Sequence, residues 1–216
     1  MINIKFLKVA PEGKDFGLVS FVWGDDSETR VLSDGRKEIT IGIGEKEKFN
    51  RRKFILAARR AVVFAKAGKI KKIALDLPAW LGTLPKEDSA DLARLMGENL
   101  EMANFEFLKY KTAPKDGWRS VGEVVLCGDV SVEVKQALKK GQKVGEGVNG
   151  CRELSNTPGG EMTPAVLSEA SRKAAIGTRI KVTVLNKGAL EKMKMGGVLG
   201  VAKGSVEHPR FIIMEY

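Results

Sequence analysis

The chain has 216 residues, 43% hydrophobic and 30% charged, a balance that can bury a sizeable core and that excludes collagen-like, low-complexity and wholly disordered classes. Its 37 Lys and Arg against 27 Asp and Glu leave a formal charge of +10, which suits nucleic acid or another acidic surface. The excess is spread along the chain, with 10 basic and 6 acidic residues after Gly150 against 27 and 21 up to it, so there is no basic tail.

Two cysteines, Cys127 and Cys151, argue against a disulfide framework, and both read as reduced structural thiols. Residues 1–5 lack the pattern of a signal peptide. No apolar run approaches the roughly 18 residues that span a bilayer. A cytoplasmic location without membrane association is expected.

In chain order, residues 2–7 and 16–23 are apolar, β-branched segments around Pro11-Glu12-Gly13 and read as two strands joined by a turn. Residues 49–67 change period: a helix there places Ile55, Ala58, Ala61, Val62 and Ala65 on one side and Arg52, Arg59 and Lys66 on the other, with Gly68 ending it. Residues 70–77 form the next strand, closed by Pro78. A helix is expected from Pro85 to about Ala103, its acidic first turn suiting the positive end of the helix dipole. Residues 105–110 and 121–127 supply two more strands, giving about five strands and two helices in this part. Residues 129–154 suit one long helix, although Gly141, Gly145, Gly147 and Gly150 each cost about 1 kcal/mol relative to alanine. A breaker cluster at Ser155-Asn156-Thr157-Pro158-Gly159-Gly160 marks a domain boundary. Beyond it, Thr163 caps a helix with Pro164 in its first turn. A strand at 181–185, a short helix at 187–194 and the apolar strand 211–214 complete the chain. A strand with four consecutive apolar residues is usually buried on both faces. The elements after the boundary are too few to bury it, so the ending reads as an interruption.

Gly145-Glu146-Gly147-Val148-Asn149-Gly150 has the spacing of a dinucleotide-binding loop. That loop needs a strand before it and a helix after it, whereas a helical segment precedes it here. His208 stands alone in a loop, without a nucleophile or companion ligands. Asp76 and Asp129 follow strands, where a lone carboxylate usually serves as a cap. Residues 51–72 carry nine basic side chains and no acidic one. Of these, Arg51, Arg52, Lys53, Arg59, Arg60 and Lys66 form a candidate interaction face, with Leu56 and Val63 inside the arc. Binding of nucleic acid there would be electrostatic and salt-dependent, but no aromatic residues interleave the arginines as in a stacking platform. A solvated face, or one that pairs with another subunit, is the preferred reading. The residues by themselves show no catalytic constellation.

Gly147-Val148-Asn149-Gly150-Cys151-Arg152-Glu153-Leu154-Ser155-Asn156-Thr157-Pro158, with Met162-Thr163-Pro164, resembles the start of the catalytic domain of the leucyl (cytosol) aminopeptidase family. Met195-Gly196-Gly197-Val198-Leu199-Gly200-Val201, Gly204-Ser205 and the segment from Pro209 to Tyr216 are similar to the family's next stretch in order and spacing. The resemblance implies an α/β fold: a macro-domain-like mixed sheet flanked by helices over 1–128, a connecting helix over 129–155, and an incomplete, truncated α/β catalytic domain over 156–216. It also implies a cytoplasmic, hexameric hydrolase that removes N-terminal residues from peptides with two divalent ions, manganese or zinc. The family's metal ligands lie in later stretches resembling Val-Gly-Lys-Gly with Phe-Asp-Ser-Gly-Gly, and Asn-Thr-Asp-Ala-Glu-Gly-Arg. Neither stretch is present. Ser205 follows Val201-Ala202-Lys203-Gly204 where the first would continue, so no catalytic or metal residue is assigned and this chain alone is expected to be inactive. The alternative is a non-catalytic nucleic-acid-binding or subunit-interaction module that uses residues 51–72.

Overall fold

Side chains alternate across a strand, and two neighbouring interior strands are apolar at every buried position because both of their faces are covered. In β5 (Lys72–Asp76) and β6 (Glu123–Cys127), Ile73, Leu75, Val124 and Leu126 turn to one face of the sheet. Ala74, Val125 and Cys127 turn to the other, backed by Phe16 and Leu18. The computed structural model describes residues 1–216, which divide into two units, Met1–Gly150 and Cys151–Tyr216.

The first unit is built on a six-stranded mixed sheet. With β1 (Asn3–Leu7), β2 (Phe16–Val22), β3 (Glu28–Val31) and β4 (Lys37–Gly42), the order is β1-β6-β5-β2-β4-β3. All neighbours are parallel except β3, which runs antiparallel to β4 at the edge. The first two strands are therefore not a hairpin: β6 and β5 lie between them, and each pairs with partners far along the chain. Two strands escape the sequence reading. The edge strand β3 is exposed throughout and has no apolar alternation to betray it. In β4, Ile39 and Ile41 alone reach the core. Residues 105–110, expected as a strand, form none, and the sheet is completed without them.

Helix α1 (Arg51–Ala67) begins at Asn50, whose Oδ1 accepts from the Lys53 N–H at 3.2 Å. It buries Phe54, Ala57, Ala58, Ala61, Val62 and Ala65 against the sheet. The left-handed residue at its end is Lys69 (φ 53°), not Gly68. Ile70 N–H reaches back to the Ala65 carbonyl at 2.8 Å, and Lys69 Nζ is held by Asp116 Oδ2 at 2.6 Å. A short helix, α2 (Leu77–Leu81), follows β5, with Asp76 Oδ1 accepting from the Ala79 N–H as its cap. Helix α3 (Ser89–Asn104) starts four residues later than Pro85 suggests, because Asp88 is the residue whose side chain caps it, accepting from the Asp91 N–H at 2.7 Å.

The glycine-rich stretch lies inside a 25-residue helix, α4 (Val132–Asn156), so it makes no phosphate loop. Three glycines instead bring α3 and α4 into backbone contact. A Cβ on Gly97 would fall on the Leu138 carbonyl, one on Gly141 on the Arg94 carbonyl, and one on Gly145 2.7 Å from the Glu98 oxygen. A buried polar knot joins the same helices to β1: Glu101 Oε2 accepts from the Ile2 N–H at 3.0 Å and from Gln142 Nε2 at 3.1 Å.

In the second unit, α5 (Pro164–Ala175) starts at Thr163, whose Oγ1 accepts from the Val166 N–H at 3.3 Å. Strands β7 (Lys181–Leu185) and β8 (Phe211–Glu215) pair antiparallel, Val182 with Met214 and Val184 with Ile212. Between them come α6 (Lys187–Lys192) and α7 (Gly196–Ala202). β8 has β7 as its one neighbour, and Phe211 and Met214 remain partly exposed.

Candidate functional site

The cationic residues of α1 separate into two kinds by the partners that their side chains meet. Arg51 lies across the gap to the start of α3, with Nη1 2.9 Å from Glu87 Oε2 and Nη2 2.5 Å from Asp91 Oδ2. The hydrogen bonds that it donates to these two carboxylates raise its pKa. Lys66 is neutralised by Glu106. Arg51 and Lys66 are thereby part of the chain's own framework.

Arg59 and Arg60 meet only neutral groups. Arg59 Nε donates to Asn99 Oδ1 at 2.7 Å, and that buried amide donates in turn to the Leu95 carbonyl. Arg60 donates from Nη1 to the Gly42 carbonyl and from Nη2 to Ser27 Oγ, both at 2.6 Å. The two guanidiniums are thus fixed in direction while their charge stays unbalanced. Arg52 is exposed and forms no ion pair; Lys53 sits beside Gly44 at the end of β4. The six residues consequently do not line one cleft. Lys53, Arg59 and Arg60 share a cleft with the exposed Leu56 and Val63, whereas Arg51 and Arg52 line a separate groove with Phe49 and Leu84.

Asp76 is the α2 cap, and His208 lies in the loop after α7 with no acidic or thiol cluster around it. No group of three or more His, Cys, Asp or Glu side chains could hold a metal ion. Cys127 is buried, and burial followed by the charge of Asp76 pushes its thiol pKa up; Cys151 is exposed. The Glu101–Gln142 knot escapes the sequence reading. Its partners are 41 and 99 residues apart, and a Gln inside a lysine-rich helix gives no local sign of burial.

Two family models match in chain order. Residues 24–114 match the N-terminal domain of the cytosol aminopeptidase family, and residues 149–216 match the catalytic domain of that family. The chain belongs to the cytosol aminopeptidase family. A probable cytosol aminopeptidase of Bdellovibrio bacteriovorus is 33% identical over 182 residues, covering 84% of this chain and 36% of that protein. One from Roseiflexus castenholzii is 30% identical over 185 residues, covering 84% and 37%. The chain thus spans little more than a third of the length of these curated relatives. Among solved structures, a mutant tomato leucine aminopeptidase superposes with a TM-score of 0.81 at 18% identity, over 99% of this chain and 50% of that one. The bottromycin maturation enzyme BotP in complex with Mn superposes with a TM-score of 0.75 at 19% identity, over 94% and 45%. These two establish that the chain has the cytosol aminopeptidase fold: a mixed, mostly parallel sheet flanked by helices. No helix is long and apolar enough to cross a membrane.

Proposed function

We propose that this chain is the N-terminal portion of a cytoplasmic aminopeptidase: a domain over 1–128, a connecting helix over 129–155 and the first elements of a catalytic domain over 156–216. The whole enzyme would remove N-terminal residues from peptides with two divalent ions, manganese or zinc, as a hexamer. The observation that carries this reading is the order of the two family matches, N-terminal domain before catalytic domain, with the α4 helix starting in the gap between them and ending inside the second.

A pair of divalent ions needs several carboxylates converging on one place. The residues present do not fit that requirement, since no such cluster exists, and no chemical step is assigned to them. This chain alone is proposed to be inactive, serving assembly or regulation. The test is hydrolysis of leucine p-nitroanilide with added manganese or zinc. No release above the metal-only background is expected, and a rate proportional to the concentration of the purified chain would overturn the proposal.

A second reading takes the cationic side of α1 as an interaction face, with nucleic acid or another protein as partner. What favours it is the unbalanced charge on Arg59 and Arg60.

A further inference from the structure

The cleft beside α1 combines features seldom left together on a surface without a partner. It is about 290 Å³ in volume, with one wall made by the α1 residues Lys53, Leu56, Arg60 and Val63 and the other by the backbone of Gly42–Gly44. Residues 53, 56, 60 and 63 recur at the three-to-four spacing of one helix face. They therefore form a continuous stripe of roughly 15 Å at about 1.5 Å per residue. Leu56 and Val63 are 46% and 53% exposed within it, although an amphipathic helix usually keeps such residues on its buried side.

The charge is equally one-sided. Lys53, Arg59 and Arg60 face the cleft, and Asp25 is its one carboxylate. Because Arg59 and Arg60 are aimed by neutral acceptors, an incoming carboxylate would meet guanidiniums already held in place and would add the missing counter-charge. The opposite wall is backbone at Gly42 and Gly44, and neither position takes a side chain without strain. A Cβ on Gly42 would strike the Asp25 and Asp26 backbone at 2.5 to 2.7 Å, and Gly44 has φ 82°.

We infer that this cleft docks a short acidic amphipathic segment of a partner protein, apolar on the side that meets Leu56 and Val63 and bearing Asp or Glu toward Lys53, Arg59 and Arg60. The inference deepens the interaction reading of α1, on which it rests, and does not depend on the aminopeptidase reading. Nucleic acid fits less well, since the cleft is lined by no aromatic ring for a base to stack on and its two exposed aliphatic side chains would gain nothing from phosphate. A helix laid into such a groove anchors through its own i, i+3, i+4 and i+7 residues.

The test is fluorescence anisotropy with three labelled probes at low and physiological salt. The first is a helical peptide of about 14 residues with leucine along one face and glutamate beside it. The second replaces its leucines by serine, and the third is a single-stranded oligonucleotide of similar charge. The first probe is expected to saturate below about 100 µM at low salt, with the serine probe at least about tenfold weaker. Leu56→Ser with Val63→Ser should reduce binding of the first probe at least about tenfold, and Lys53→Glu should both weaken it and flatten its salt dependence. All these side chains are partly or fully exposed, and circular dichroism spectra matching the wild type would exclude misfolding as the cause. Equal binding of the serine probe or of the oligonucleotide would overturn the inference while leaving a cationic interaction face. Absence of binding by all three would overturn both.

Discussion

Gln142 Nε2 lies 2.6 Å from the carbonyl oxygen of Ile2, a bond between α4 and the residue just before the first strand across 140 residues of sequence. The same amide nitrogen is 3.1 Å from Glu101 Oε2, which also accepts from the Ile2 N–H, and the Met1 ammonium stands 3.8 Å from Glu101 Oε1. Glu101 is 4% exposed. A carboxylate so placed is tolerated only while its hydrogen bonds are made.

Removing the amide should therefore cost more than one ordinary hydrogen bond. Gln142→Met keeps the volume but leaves the Ile2 carbonyl and Glu101 each short of a donor, at about 1–3 kcal/mol per buried group. A loss of about 2 kcal/mol or more is expected in urea unfolding of the first unit. A loss below about 0.5 kcal/mol, the range of ordinary surface changes, would show that the knot is not formed.

Glycines of α4 should respond to alanine in opposite directions. At Gly141 the new methyl would fall on the Arg94 carbonyl, and the strain of overpacking, about 1–3 kcal/mol, outweighs a helix-propensity gain of about 1 kcal/mol. At Gly147 nothing lies within 4 Å of the added carbon, so Gly147→Ala should stabilise by up to about 1 kcal/mol. Thermal midpoints of the two variants should fall on either side of the wild type.

Acid should loosen the contact between α1 and α3. Asp91 is held below its ordinary value of 3.8, first by Arg94 and then by Arg51. A group whose folded pKa is depressed contributes stability above its unfolded pKa and loses it as pH falls through the folded value. Asp15, bonded to Lys72, and Asp34, bonded to the Arg36 N–H, act with the same sign but lie at the surface, so salt weakens their share. Asp91→Asn should make the protein lose less stability than the wild type between about pH 6 and pH 3, read as the shift in urea midpoint. An equal loss in both would contradict the pairing.

The two thiols should differ in reactivity. Burial and Asp76 keep Cys127 protonated and covered, while Cys151 is exposed, and the thiolate is the reacting species. One fast equivalent is expected with DTNB on the folded protein and two in denaturant, with the fast one lost in Cys151→Ser. Two fast equivalents would place Cys127 at the surface.

Local chemistry sufficed for the parts of this protein whose signals lie close together in sequence. The stripe from Ala58 to Ala65, the Thr163-Pro164 helix start and the cap role of Asp76 each depend on residues within a few positions of one another, and family membership was legible in the run from Gly147 to Pro164. Strand neighbours, by contrast, are chosen by the whole chain. β3 escaped because an exposed edge strand needs no apolar alternation, and residues 105–110, apolar enough for a strand, find no partner in the sheet.

The sequence by itself determined that the chain is α/β, cationic and related to the aminopeptidases, since composition, periodicity and motif spacing are properties of neighbouring residues. Only the tertiary structure decided which of its cations are spent inside the fold. Arg51 and Lys66 are neutralised by carboxylates brought from α3 and the loops on either side of it, whereas Arg59 and Arg60 are aimed by uncharged groups and keep their charge. The same holds for the glycines of α4: in sequence each is a cost to a helix, and two of them become necessary only when the α3 backbone lies against them.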